Sequence, residues 1–314
     1  MPRFLLRQGD ARDLLADLDD QSVHLVVTDP PYFIDRMGQD WDDKGLRQSA
    51  AKAGVVGGLP VGMKFDARQG HAFQAFMSGI ATECLRLLKP GGFFLCFSQP
   101  RLYPRLGVAV EDAGFELRDT ITWQRPGQAK AFSQDHFVRR RIAAGKLTQA
   151  QGAEILERLD GRKTPQLRSD SELITVAQKP REGTFIDNWL THETGLIDMS
   201  RHWNGKTPAN VISSSRIRAG KSADNPHFTV KPVDVLTHLI EVFSRPGQWV
   251  LDPFMGSGSH GVAALMAGRN AIGIERVDSY AALARERMRA AGGVPLDADT
   301  VDPLTTPDPE SGAA

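Results

Sequence analysis

The chain has little with which to cross-link or embed itself. Its 314 residues include two cysteines, Cys84 and Cys96, neither in a C-x-x-C pair, which excludes a disulfide framework and a zinc ribbon. Both lie among apolar residues (ATECLRLL and FFLCF) and are expected as buried core thiols. No apolar run approaches the ~20 residues of a membrane span. The start, MPRFLLRQGD, lacks the hydrophobic stretch of a signal peptide, so a cytoplasmic protein is expected. Excess charge of one sign is also missing: 38 Lys and Arg stand against 38 Asp and Glu. Any affinity for nucleic acid must therefore come from local charge. No internal repeat is visible. What is present, 41% hydrophobic and 24% charged residues, suits an ordinary globular protein with one large core.

Near-continuous runs of β-branched residues and leucine predict buried strands at 4–8 (FLLRQ), 23–29 (VHLVVTD), 92–97, 115–123, 172–178, 249–252 and 271–275. Helical spacing is expected at 11–18, capped by Asp10, and through Phe73, Phe76, Met77, Ile80, Leu87 and Leu88, with KPGG (89–92) as the stop. Further helices are expected at 102–113, about 138–159, from Pro232 through Phe243, after the glycine-rich turn to about 267, and at 279–290. Residues 33–64 read as a long loop and 181–226 as irregular. Alternating strands and helices imply a doubly wound, mostly parallel α/β sheet. The expected organisation is 1–124, an insertion at 125–226 that lends the strand 172–178 to the core, 227–290, and a disordered acidic tail at 291–314.

Two motifs carry chemistry. Asp252-Pro253-Phe254-Met255-Gly256-Ser257-Gly258 follows a strand and opens a helix, and the next strand ends in Glu275, placed to accept ribose hydroxyls. With Gly261 the run also satisfies G-x-G-x-x-G, which keeps a dinucleotide oxidoreductase in view. A leading carboxylate would repel a pyrophosphate. It suits S-adenosylmethionine, which carries a sulfonium and an ammonium and no phosphate. The second motif, Asp29-Pro30-Pro31-Tyr32, sits at the carboxyl end of a strand. Two prolines fix the turn and remove two donors. What remains, the Asp29 carboxylate and the Pro30 carbonyl, can accept both hydrogens of an exocyclic amine while Tyr32 stacks on the base.

The chain resembles the β-group DNA amino-methyltransferases, in which the target-amine motif precedes the cofactor motif. It resembles the prophage-type adenine enzymes in particular. The resemblance includes Met37-Gly38, Trp41-Asp42, Leu88-Lys89-Pro90-Gly91-Gly92, Pro208-Ala209-Asn210-Val211-Ile212 and HFTVKP (227–232), and covers most of 5–290 outside 125–171. It implies a Rossmann-like methyltransferase fold with circularly permuted motif order and an inserted DNA-recognition region. Asp29, Pro30, Pro31 and Tyr32 would hold the target base. Asp252, Phe254, Gly256, Ser257 and Gly258 would surround the methionine part of S-adenosylmethionine, Glu275 its ribose and Asp10 its adenine. Thr229 and Lys231 would lie near the cofactor carboxylate. The sequence departs from the pattern at His260, where Ser or Thr is usual, and at Phe228, where Pro is usual.

No Pro-Cys pair exists, so the covalent C5-cytosine route is excluded and adenine N6 or cytosine N4 remains. Asp before Pro-Pro favours adenine. A base in a duplex must be flipped out to reach such a site, with 33–64 as a clamp over it. Residues 125–181 hold twelve Lys and Arg against six Asp and Glu, a local excess that fits phosphate binding to double-stranded DNA. Lys130, Arg139, Arg140, Arg141, Arg162 and Lys163 are candidates there, and Arg216 and Arg218 form a second cluster. No metal-ligand spacing is found. The resemblance implies a homodimer and a restriction–modification setting, without indicating a companion nuclease. A DNA-binding protein with a relic cofactor loop is the non-enzymatic alternative.

Overall fold

The computed structural model describes residues 1–31, 67–127, 131–165, 167–214 and 231–296. Its strands are β1 (Arg3–Gln8), β2 (Val23–Thr28), β3 (Leu88–Ser98), β4 (Glu116–Gln124), β5 (Ser171–Gln178), β6 (Val211–Ser213), β7 (Trp249–Asp252), β8 (Asn270–Glu275) and β9 (Val294–Pro295). They form one sheet in the order β6-β4-β5-β3-β2-β7-β8-β1-β9. β5 runs antiparallel to β3 and β4, and every other neighbouring pair is parallel. The expected mostly parallel α/β sheet is what forms.

The helices are α1 (Ala11–Leu14, continued by a 3-10 turn), α2 (Ala67–Leu87), α3 (Tyr103–Asp112), α4 (Asp135–Ala143), α5 (Gln149–Arg158), α6 (Phe185–His192), α7 (Val233–Phe243), α8 (Ser259–Met266) and α9 (Asp278–Ala290). β3 shows why the central strands read as unbroken apolar runs. Phe93, Leu95 and Phe97 enter a core shared with α7, α8 and α9, while Phe94 and Cys96 enter one shared with α2 and α3. Both faces of the strand are buried, so neither face can be polar. Among the described residues no helix is long and apolar enough to cross a membrane.

Several expectations need correcting. KPGG does not follow the helix as a stop: α2 ends at Leu87, and Leu88 already begins β3. The helical stretch expected at about 138–159 is helical apart from a turn at 144–148, which divides it into α4 and α5. The stretch 181–226 contains α6 and β6, and the segment from 291 begins with an ordered β9 paired to Arg3 and Phe4. The loop 33–64 lies outside the described residues, as do 297–314 of the tail.

The central pairing is β2 with β7, Leu25 opposite Val250 and Val26 opposite Leu251. It joins the two ends of the chain and is the physical form of the permuted motif order. The carboxyl ends of β1, β2, β3, β7 and β8 therefore share one edge, the usual ligand edge of such sheets. Because β5 is antiparallel, its first residues, Ser171 and Glu172, join that edge.

Candidate functional site

Asp29 follows β2 directly, and its side chain is 11% exposed. The Lys231 ammonium lies 2.5 Å from Asp29 Oδ2 and 3.3 Å from Glu172 Oε2, and 5.0 Å from the Phe97 ring centroid. Lys231 itself is 6% exposed. Burial acts to lower its pKa, but Asp29 and Glu172 outweigh burial and raise it, so the lysine is held as a cation. Glu172 Oε1 accepts from Arg125 Nε (3.0 Å) and Nη2 (2.6 Å). The Arg125 guanidinium also lies over Trp123. Pro30 is buried and Pro31 half-buried. Tyr32 lies outside the described residues.

The second motif is locked from beneath. Asp252 is 1% exposed. Its Oδ1 accepts from Thr28 Oγ1 (2.7 Å) and from the Phe254 backbone N–H (3.0 Å). His260 Nδ1 lies 2.8 Å from Asp252 Oδ2, a close pairing without the alignment of a hydrogen bond. His260 is buried against Asp252 and Phe97, so the residue that departs from the family pattern serves packing. Phe254 is half-buried and packs on Phe76.

Gly256 and Gly258 have φ of +52° and +87°, a region that other residues enter only with strain. A Cβ on Gly258 would sit 2.9 Å from Ala284 Cα. Gly261 plays a different part. A Cβ there would meet Met288 Sδ at 2.3 Å, so the third glycine of G-x-G-x-x-G lets α8 pack on α9. Arg287 donates to the Ser257 carbonyl and hydroxyl from behind the turn, and Ser257 is buried.

Glu275 ends β8. Its Oε2 accepts from the Gly256 N–H (2.8 Å) and its Oε1 from the Val277 N–H (2.7 Å). Burial raises its pKa and these hydrogen bonds act to lower it, with burial the stronger. The Gly256 N–H that would cradle a pyrophosphate is thus spent on a carboxylate, and a phosphate there would meet an anion. The acids at the ends of β1 and β8 suit a ligand with cationic groups and hydroxyls. Gln99, just past β3 on the same edge, has a buried Nε2 with no partner among the described residues. S-adenosylmethionine fits this donor set and a dinucleotide does not.

The remaining candidates are placed as follows. Asp10 caps α1 by accepting from the Arg12 N–H and pairs with the Arg12 side chain at 2.6 Å, which lowers its pKa. Thr229, Lys130, Arg216 and Arg218 lie outside the described residues. Arg139, Arg140, Arg141, Arg162 and Lys163 are all exposed. They lie on and just beyond the α4–α5 hairpin, whose helices meet at Gly152 against Ile142 and whose base is closed by Phe132 and Thr164. Arg125, Arg168 and Lys179 leave the basic patch, being bound to Glu172, Asp170 and the Leu88 carbonyl. Thr28, Phe97, Arg125 and Glu172 were not singled out for this edge. The signal available was the acid at the head of the strand ELITVAQ, meaningful only once that strand is known to run antiparallel.

The sequence profile of the DNA methylase family matches residues 23–286. Type II methyltransferase M.HindIII of Haemophilus influenzae is 28% identical over 292 residues, covering 86% of this chain and 90% of that protein. TTHA0409 of Thermus thermophilus, solved in complex with S-adenosyl-L-methionine, is 21% identical and superposes with a TM-score of 0.55, covering 94% of this chain and 100% of that one. The cytosine-N4-specific PvuII DNA methyltransferase has the same fold, with a TM-score of 0.58 at 16% identity over 96% of this chain and 98% of that one. With the profile spanning most of the chain and both motifs on one sheet edge, the protein belongs to the DNA methylase family and is an S-adenosylmethionine-dependent DNA methyltransferase of the amino-group class.

Proposed function

We propose that this enzyme methylates the N6 amino group of adenine in double-stranded DNA. The observation that carries the reading is the Asp29 carboxylate at the end of β2, held by Lys231 and beside the Asp252 turn on the neighbouring strand. An adenine amine is a weak nucleophile, because its lone pair is delocalised into the ring. The Asp29 carboxylate and the Pro30 carbonyl would accept its two hydrogens, turn the nitrogen toward sp³ geometry and stabilise the positive charge that develops. S-adenosylmethionine supplies the methyl group on a sulfonium, already a good leaving group, so no covalent protein intermediate is needed. Glu275 would receive the ribose hydroxyls, with Phe254, Gly256, Ser257 and Gly258 forming the wall of the methionine side. Asp252 supports that wall by holding the Phe254 N–H and Thr28, its carboxylate being buried.

The duplex would lie along the α4–α5 hairpin, with Arg139, Arg140, Arg141, Arg162 and Lys163 on its phosphates. Five exposed cations on and just beyond one hairpin support this assignment. The target base would be flipped into the edge between Asp29 and the Asp252 turn. We further read the protein as a homodimer. The exposed apolar side chains Phe185, Ile186, Leu190 and Ile197 on and after α6 are the kind of surface that a second copy would cover.

Asp29→Ala tests the division of labour. Methyl transfer to DNA should fall to background, while S-adenosylmethionine, titrated calorimetrically, binds within about threefold of the wild-type affinity. Equal loss of both would refute the reading of Asp29 as the amine acceptor.

A further inference from the structure

We infer that Lys231 is the positioning residue of Asp29, fixing the carboxylate that receives the target amine, and that Glu172 completes the clamp. The inference rests on the reading of Asp29 given above. Lys231 precedes Pro232, the N-cap of α7, so its backbone is anchored to a core helix. From there the ammonium reaches Asp29 Oδ2 at 2.5 Å and Glu172 Oε2 at 3.3 Å, with the Phe97 ring beneath it. The resemblance to known enzymes pointed this lysine at the cofactor carboxylate. In the structure its ammonium is committed to two other carboxylates, and a third would have to approach two anions.

The arrangement is costly as a strut. Taking two anions and two cations out of water is offset only by near-ideal geometry, and apolar groups of the same volume usually stabilise a fold at least as well. What the charges provide is aim. A carboxylate held at one oxygen by a lysine fixed to a core helix is restrained from turning about its Cβ–Cγ bond, so its orientation is set before the base arrives. Lysine alone would also oppose the reaction, since a cation beside Asp29 cancels the field that stabilises a nitrogen becoming positive. Glu172 answers that: it balances Lys231, and Arg125 holds Glu172 in place through two N–H groups on one oxygen. Arg125 directly follows β4 and Glu172 lies at the start of β5, so the clamp is built where the chain leaves and re-enters the sheet on either side of the α4–α5 hairpin.

The test uses the full chain, unmethylated plasmid DNA and radiolabelled S-adenosylmethionine, with Lys231→Met, Lys231→Arg and Glu172→Gln. For Lys231→Met, kcat should fall about 10²-fold, while KM and the calorimetric Kd for S-adenosylmethionine stay within about threefold. Lys231→Arg, which keeps the charge, should recover at least about tenfold of the loss. Glu172→Gln, nearly isosteric, should lower kcat in the same sense but less. Should Lys231→Met fail to fold, the arginine and glutamine variants carry the same split between kcat and Kd. Weakened cofactor binding at unchanged kcat would overturn the assignment and return Lys231 to the cofactor. Arginine and methionine variants equally impaired, both folded by circular dichroism, would overturn it as well. A wild-type enzyme that transfers no methyl to adenine would instead remove the reading of Asp29 on which the inference stands.

Discussion

Thr28 and Asp252 are 224 positions apart in sequence and joined by a buried 2.7 Å hydrogen bond, the Thr28 hydroxyl donating to Asp252 Oδ1. Thr28 is the residue before Asp29, and Asp252 begins the turn of Gly256 and Gly258. One hydrogen bond thus ties the target-amine motif to the cofactor motif. Thr28→Val keeps the shape of the side chain and removes the donor. It should cost about 1–3 kcal/mol in urea unfolding, because a buried carboxylate oxygen loses a partner. It should also weaken S-adenosylmethionine in a calorimetric titration, since Asp252 holds the Phe254 N–H. Full stability with an unchanged Kd would mean that the two motifs are not coupled through this bond.

His24 makes the fold sensitive to acid. It sits in β2 with Nδ1 accepting the Trp249 backbone N–H of β7 (3.2 Å), and burial, aided by Lys89, lowers its pKa from 6.5 to about 3. The folded value lies below the unfolded one, so its contribution is complete above pH 6.5 and is lost as pH falls from 6.5 toward 3. The slope is at most about 1.4 kcal/mol per pH unit. Unfolding free energy should therefore fall by up to about 2 kcal/mol between pH 6.5 and 5, a range mostly above carboxylate titration. His24→Asn, which keeps an acceptor and loses the titration, should flatten that segment of the profile. Parallel profiles for the two proteins would clear His24 of the effect.

The DNA reading makes a prediction in salt. Arg139, Arg140 and Arg141 are exposed, and no carboxylate among the described residues pairs with them. Each alanine substitution at a phosphate contact should reduce the slope of log K against log salt by about 1, with little change in sequence preference. An unchanged slope in the triple variant would remove the hairpin from the interface.

Much of the fold could be read from the sequence because the central strands are buried on both faces and so carry unbroken apolar runs. Elements without that burial were not legible. α6 exposes Phe185, Ile186 and Leu190, so no core-facing period marks it; its one local sign is the Thr184–Asp187 capping box. β6 is three residues long with only Ile212 buried. β9 hides in a run that composition marks as a tail. At the site, the two turns could be located from their motifs, because glycine and proline leave local marks. The partners Lys231, Glu172 and Thr28 could not be paired from sequence, since their contacts cross strands distant in the chain. The β3–β5, β2–β3 and β2–β7 pairings line up the strands that carry these contacts. Asp252 makes the same point: its position marked the cofactor turn, but its complete burial, and so its supporting role, is a matter of packing.

Adenine as the target follows from an aspartate ahead of two prolines, and the fold itself is shared with a cytosine-N4 enzyme. The most direct test is nucleoside mass spectrometry of DNA from cells that lack their own amino-methylation and express this chain, set beside the Asp29→Ala variant. The expected result is N6-methyladenine with the wild-type chain and none with the variant. N4-methylcytosine in its place, or N6-methyladenine persisting in the variant, would contradict it.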